Sequence, residues 1–161
     1  MNQRKRTFVR QFAPHQGLVR SLCAAYFPRE EDRKDAFQEV LLQLWKSYPS
    51  FRSESAFVTW MYRIALRTLM AQVQRNRRLP TCSYQSEYEP AEIPSEGLEL
   101  LYFALDRLSP SDKALVLLYL EGYRYREIAE LLDLTPTNVS TRFGRIKQRL
   151  KKLITQELSW N

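Results

Sequence analysis

The chain has 161 residues, 25 basic against 18 acidic side chains and a formal net charge of +7, a size that suits one domain or two small ones. Its longest apolar run, Ala114 to Leu120, falls far short of the roughly 18 residues a membrane span needs; no membrane insertion of its own is expected, and no apolar run follows the basic first ten residues as a secretory signal would require. A single histidine, His15, and two distant cysteines, Cys23 and Cys82, give no reason to expect a metal, a cofactor, a disulfide framework or histidine-based catalysis, while the excess positive charge points to a polyanion.

In chain order, apolar spacing predicts a first helix over about Phe8–Tyr26, weakened early by Pro14 and Gly17. A second spans about Glu30–Ser47, with Phe37, Val40, Leu41, Leu44 and Trp45 on one stripe. It also carries Asp32, Asp35 and Glu39 at i, i+3 and i+7. On spacing alone this acidic strip either docks a basic partner helix or is simply solvated. A polar hinge, Ser50-Phe-Arg-Ser-Glu-Ser55, follows. A third helix over about Ser55–Arg78 places Phe57, Trp60, Met61, Ile64 and Leu69 inward and Arg63, Arg67, Gln74 and Arg78 along another face. Trp45, Tyr48, Phe51, Phe57, Trp60 and Tyr62 thus crowd around the hinge. Rings beside arginines suit single-stranded nucleic acid, because bases stack on rings while arginines follow phosphates. Trp45, Phe57 and Trp60 also lie on the apolar stripes, which predicts burial in the core.

Residues 79–97 hold three of the eight prolines, four acidic side chains and no basic one, the composition of a flexible acidic linker. It separates residues 1–78, net +9, from residues 98–161, net +2. After it, a helix is expected over about Leu98–Leu108. Ser109-Pro-Ser-Asp112 reads as a cap with proline at the first helical position, and Gly122 as a left-handed helix end. Tyr125–Leu132 forms a short amphipathic helix, Asp133-Leu134 a turn, and Thr135-Pro136 the start of a long final helix. This is helix-turn-helix spacing, with small Ala129 at the helix crossing and Leu134 plugging the turn. At about 100° per residue, Val139, Phe143, Ile146, Leu150 and Leu153 share one arc, and Asn138, Arg142, Arg145 and Arg149 another, beside Thr141. Guanidinium and amide groups on such a face can bond base edges or phosphates. No strand pattern competes. The fold class is all-α: two small helical domains joined by a flexible acidic linker, the C-terminal one a helix-turn-helix.

Two stretches carry a family resemblance. Asp35-Ala-Phe-Gln-Glu-Val with Leu44-Trp45, and Phe51-Arg-Ser-Glu-Ser-Ala-Phe-Val-Thr-Trp60-Met-Tyr-Arg-Ile-Ala65, resemble region two of extracytoplasmic-function (ECF) sigma factors. Leu105-Asp-Arg-Leu-Ser-Pro110, Glu121-Gly-Tyr-Arg-Tyr-Arg-Glu-Ile-Ala-Glu-Leu-Leu132 and Val139-Ser-Thr-Arg-Phe-Gly-Arg145 resemble region four. The resemblance implies a cytoplasmic bacterial transcription initiation factor, not an enzyme, that binds core RNA polymerase, recognises promoter DNA and helps melt it. Region two would occupy 1–78 and region four 98–161. Asp35, Gln38 and Glu39 would dock on the polymerase. Phe51, Arg52, Ser53, Glu54, Ser55, Thr59, Trp60, Arg63 and Arg67 would engage the minus-ten element, where stacking and hydrogen bonds offset the cost of extruding a base. Asn138, Ser140, Thr141, Arg142, Arg145 and Arg149 would read the minus-thirty-five element. The linker would either approach the RNA path or act as a solvated spacer. Regulation by a separate anti-sigma protein is also implied.

The sequence departs from its relatives at Ser140, where Lys or Arg is common, at Gly144, where a larger side chain is common, and at Arg67, where Asn is common. These departures bear on which promoter is read and on the flipped-base pocket, not on the class. Two other classes fit the basic helices alone. A helix-turn-helix regulator independent of polymerase would bind symmetric sites as a dimer. An adaptor without sequence readout would not distinguish specific from random duplex at fixed salt.

Overall fold

The computed structural model describes residues 3–78 and 96–158. The described elements are helices: α1 (Gln3–Phe12), α2 (Gln16–Tyr26), α3 (Glu30–Ser47), α4 (Phe57–Arg78), α5 (Glu96–Asp106), α6 (Pro110–Leu120), α7 (Tyr125–Leu132) and α8 (Pro136–Leu158), with 3-10 turns at Ala13–His15 and Tyr48–Ser50. The chain divides into two compact units, Met1–Glu89 and Pro90–Asn161. The expected linker lies outside the described residues, apart from Glu96 and Gly97, which open α5 two residues earlier than apolar spacing predicts.

In the first unit the helix expected over Phe8–Tyr26 is two helices. Pro14 has no N–H and its ring clashes with the preceding turn, so the chain takes a 3-10 turn there, and α1 starts earlier, at Gln3. Phe8 and Phe12 are the buried residues of α1, four apart and stacked at 5.8 Å. The core lies among α2, α3 and α4. Ala36, Val40 and Leu44 of α3 repeat every fourth residue and are fully buried, facing Met61, Tyr62, Ala65, Leu66 and Leu69 of α4 and Val19 and Leu22 of α2. Burying a Leu or Met side chain contributes roughly 1.5–3 kcal/mol, so this row is the main stabiliser of the unit. Cys23 also lies in this core, where burial pushes its thiol up from 9.0 to about 11.

Trp45, Phe57 and Trp60, expected in the core, are half-buried instead. Small and aliphatic side chains, with Tyr62, fill the space between the three helices, and the larger rings settle at its edge. Helix α4 begins at Phe57, two residues after the expected Ser55. The preceding Ser53 has a left-handed backbone, φ 59°, which costs an L-residue about 1–2 kcal/mol and cannot be part of a right-handed helix.

The second unit has a core of Leu105, Leu108, Ala114, Leu115, Leu118, Ile128, Leu131, Val139, Phe143 and Ile146. Its helix ends follow the local sequence closely. Ser109 Oγ accepts from the Asp112 N–H at 3.2 Å, and Pro110 occupies the first helical position. Gly122 has φ 89°, and the Tyr123 N–H reaches back to the Leu118 carbonyl at 3.1 Å, the six-to-one bond of a left-handed helix end. Asp133 makes the helix-turn-helix corner with φ 55° and ψ 45°, and the Leu134 N–H donates to the Ala129 carbonyl at 2.8 Å. Thr135 Oγ1 accepts from the Asn138 N–H at 3.1 Å and so caps α8. Among the described residues one charged side chain is buried: Lys113 is 6% exposed, and its Nζ donates to Asp106 Oδ1 at 2.9 Å, tying α6 to α5.

Candidate nucleic-acid interface

On α3, Asp35 and Gln38 are exposed, and Glu39 is half-buried beside them. Glu39 Oε1 accepts from Gln43 Nε2 at 2.8 Å, which holds its carboxylate in place. The Asp35 carboxylate forms no hydrogen bond or ion pair with any described residue. One turn earlier, Lys34 pairs with Glu30 at 2.6 Å and holds that carboxyl below its ordinary value, chiefly through the hydrogen bond. The face continues into Leu42, an exposed apolar side chain that the stripe analysis did not single out. Its spacing, seven residues after Asp35, carries the signal.

The hinge forms a recess of about 300 Å³ lined by Ser50, Phe51, Arg52, Glu54, Ser55, Trp60 and Arg63. That is near the lower bound of ligand pockets. Phe51 lies 5.0 Å from Trp60 and meets Phe57 edge-on at 5.6 Å, and Phe57 lies 5.4 Å from Trp60. The rings form a half-buried platform, and Arg52 and Arg63 bring positive charge to it. Thr59 is half-buried and Arg67 is exposed one turn beyond Arg63; neither lines the recess. Ser53 supplies the left-handed turn beside it. Ser50, the first residue of the hinge read from the sequence, also lines the recess, and its hydroxyl donates to the Ser47 carbonyl at 2.7 Å.

Tyr48 braces this platform from behind. Its hydroxyl donates to Gln11 Oε1 at 2.8 Å, and its ring meets Phe8 at 5.1 Å, Trp60 at 6.3 Å and Phe51 at 6.4 Å.

On α8, Asn138, Ser140, Thr141, Arg145 and Arg149 are exposed. The Arg145 and Arg149 side chains form no hydrogen bond or ion pair with any described residue, so their guanidinium groups are available to a ligand. Arg142 differs from the wheel-based expectation. It is half-buried and turned toward α6, with Nε donating to Asp112 Oδ1 at 3.0 Å and Nη2 to Ser111 Oγ at 3.0 Å and also to Asp112. Gly144 is exposed, and a β-carbon there would meet nothing within 4 Å.

Comparison with known proteins bears on both units. The family model for Sigma-70 region 2 matches residues 11–79, and that for Sigma-70 region 4 matches residues 98–150. The ECF RNA polymerase sigma-E factor of Haemophilus influenzae is 30% identical, over 93% of this chain and 88% of its own length. The chain belongs to the ECF sigma factor family. The sigma-E factor of Escherichia coli K12 is 29% identical, over 84% of this chain and 80% of its own length. Two solved structures share the fold. The sigma factor RpoE, in complex with the anti-sigma factor NepR from Bartonella quintana, has TM-score 0.76 at 19% identity over 92% of this chain and 97% of its own. CnrH, in complex with the cytosolic domain of CnrY, has TM-score 0.67 at 23% identity over 94% and 90%. The ECF sigma factor described above is a promoter-recognising factor of transcription initiation, and among its described residues no helix is long and apolar enough to cross a membrane.

Proposed function

We propose that the two units of this ECF sigma factor divide the work of initiation. Residues 1–78 bind core RNA polymerase through Asp35, Gln38 and Glu39 and melt the minus-ten element at the hinge recess. Residues 98–161 bind the minus-thirty-five element through α8, and 79–97 link the two. The observation that carries this reading is the recess itself. A half-buried aromatic platform, a serine and glutamate edge and two arginines converge on one concave site, which is the chemistry an extruded base needs: stacking, hydrogen bonds and phosphate neutralisation. The protein acts by binding, in the cytoplasm and without catalysis of its own. An anti-sigma protein holds it inactive, a reading supported by the structural relative RpoE, which is solved in complex with the anti-sigma factor NepR.

The test is run-off transcription with purified core polymerase on a genomic promoter library, followed by opening assays on a promoter it recovers. With 2-aminopurine in the minus-ten element, the wild-type holoenzyme gives a fluorescence rise on opening. Replacing Arg52, Ser53 and Glu54 together by Ala removes the rise and leaves duplex binding upstream intact. A rise of wild-type size in that variant would take melting away from the hinge.

A further inference from the structure

Arg142 stands on the reader helix but spends its hydrogen bonds inside the unit. Its partner Asp112 is the third residue of α6, where a carboxylate is favoured by the positive end of the helix. Its backbone N–H is already fixed by the Ser109 cap. Ser111, the neighbouring residue, takes another of the guanidinium N–H groups. The side chains of Arg142 and Asp112 are each 25% exposed, which makes the pair only partly screened by water. The next residue, Lys113, is bonded to Asp106 of α5. The first turn of α6 is therefore a clasp with one charged bond to α5 and another to α8.

The location on α8 gives the clasp its consequence. At about 100° per residue, Arg142 lies about 40° from buried Ile146 on one side and about 40–60° from exposed Asn138 and Arg145 on the other. Apolar packing by Val139, Phe143 and Ile146 holds α8 down, but a smooth apolar stripe resists rotation about the helix axis weakly. A forked, three-bond tie at the stripe's edge resists it strongly, because a guanidinium is planar and directional.

We propose that Arg142 is a positioning residue, and that Asp112 and Ser111 use it to set the roll of α8, so that Asn138, Thr141 and Arg145 meet the upstream element in register. This deepens, and rests on, the reading of α8 as the upstream reader. It also names Asp112, a residue of α6, as a determinant of promoter selectivity.

The experiment measures holoenzyme affinity for a promoter recovered by run-off, against the same duplex with its upstream element scrambled, over a range of salt. The proteins are wild type, Arg142→Ala, Arg142→Lys, Asp112→Ala, the Arg142→Ala/Asp112→Ala double variant and Arg145→Ala. Thermal melting of each places the assay well below its transition, and Arg142→Lys keeps the charge and most of the packing. Expected is a loss of about tenfold in the preference for the intact element in each Arg142 and Asp112 variant, with the double variant no worse than either single. The slope of log affinity against log salt stays at the wild-type value in these variants, whereas Arg145→Ala lowers it by about 0.9 if it holds a phosphate. A lowered slope in Arg142→Ala with a silent Asp112→Ala and a wild-type-like Arg142→Lys would overturn the proposal, since Arg142 would then hold phosphate itself. A preference unchanged in all four variants, with melting lowered, would overturn it in favour of a purely structural tie. If wild-type holoenzyme shows no preference for the intact element, α8 is not the upstream reader, and the proposal falls with that reading.

Discussion

Reversing both Asp35 and Glu39 to Lys tests the proposed polymerase-docking face most directly. Asp35 is exposed and has no described partner, so its charge can be reversed without breaking an internal bond. Glu39 is half-buried and held by Gln43 at 2.8 Å; losing that contact costs α3 only about 0.2–0.5 kcal/mol. Two unit charges about 4 Å apart interact by about 1 kcal/mol in bulk water and about 4 kcal/mol at an effective dielectric of 20. The exposure of Asp35 puts it at the lower figure, and the partial burial of Glu39 puts it higher. Screening over about 8 Å at physiological salt trims both. Together the reversals are expected to weaken core binding by about 3 kcal/mol, roughly a hundredfold in Kd, with Asp35→Lys alone near tenfold. The assay is fluorescence anisotropy of the labelled chain titrated with core polymerase at two salt concentrations, with circular dichroism as the check on helicity. The deficit should shrink at the higher salt. A double variant that keeps full helicity and binds core within twofold of wild type would refute the reasoning and make the strip a solvated face.

Other expectations follow from the same geometry. Asp106→Asn leaves the Lys113 ammonium buried without its carboxylate and should cost about 2–4 kcal/mol, whereas Lys113→Met leaves a carboxylate that is 39% exposed and should cost about 1 kcal/mol or less; hydrogen exchange of α6 peptides in urea ranks the two, and the reverse order would refute the argument. Gly144→Ala should stabilise α8 by about 0.5–1 kcal/mol, since nothing occupies the space of the new methyl group; an unchanged or lowered melting temperature would count against it. The buried Cys23 thiol should resist iodoacetamide at pH 8 in the native chain and react once the chain is unfolded. Because the unfolded thiol ionises near 9.0 and the folded one near 11, its contribution to stability is complete below the first value and is lost as pH rises through the second, which a pH series of urea midpoints would show.

The helices were legible wherever one physical signal dominated. Ser109-Pro110, Gly122 and Thr135-Pro136 mark helix ends through capping and backbone geometry, and the structure has ends there. Pro14 was read only as a weakness, although the missing N–H divides one helix into two. The aromatic residues were misplaced because an apolar stripe shows which way a ring points and not how much room the core has. Once Ala36, Val40 and Leu44 meet Met61 and Leu66, Trp45 and Trp60 are left at the rim. Arg142 illustrates the limit of a helical wheel. A residue between the polar and apolar arcs turns toward whichever side offers a carboxylate, and Asp112, 30 residues earlier, is invisible to local periodicity. The recess at the hinge was legible in its residue types, but the left-handed backbone of Ser53 beside it was not, since serine gives little reason to expect that conformation.

The two indoles of the first unit have different surroundings. Trp60 shares the hinge platform with Phe51, while Trp45 packs against Phe8 and carries the Arg4 guanidinium 4.8 Å above its ring. On the proposed reading, a base entering the recess lands against Trp60 and not against Trp45, so the two emit from environments that a ligand changes unequally. The first unit thereby carries an internal optical reference. The chain has a third tryptophan, Trp160, so replacing Trp45 and Trp160 by Phe isolates the Trp60 signal for following strand capture in real time without a dye, and replacing Trp60 and Trp160 by Phe leaves Trp45 to report whether α1 stays seated while that happens.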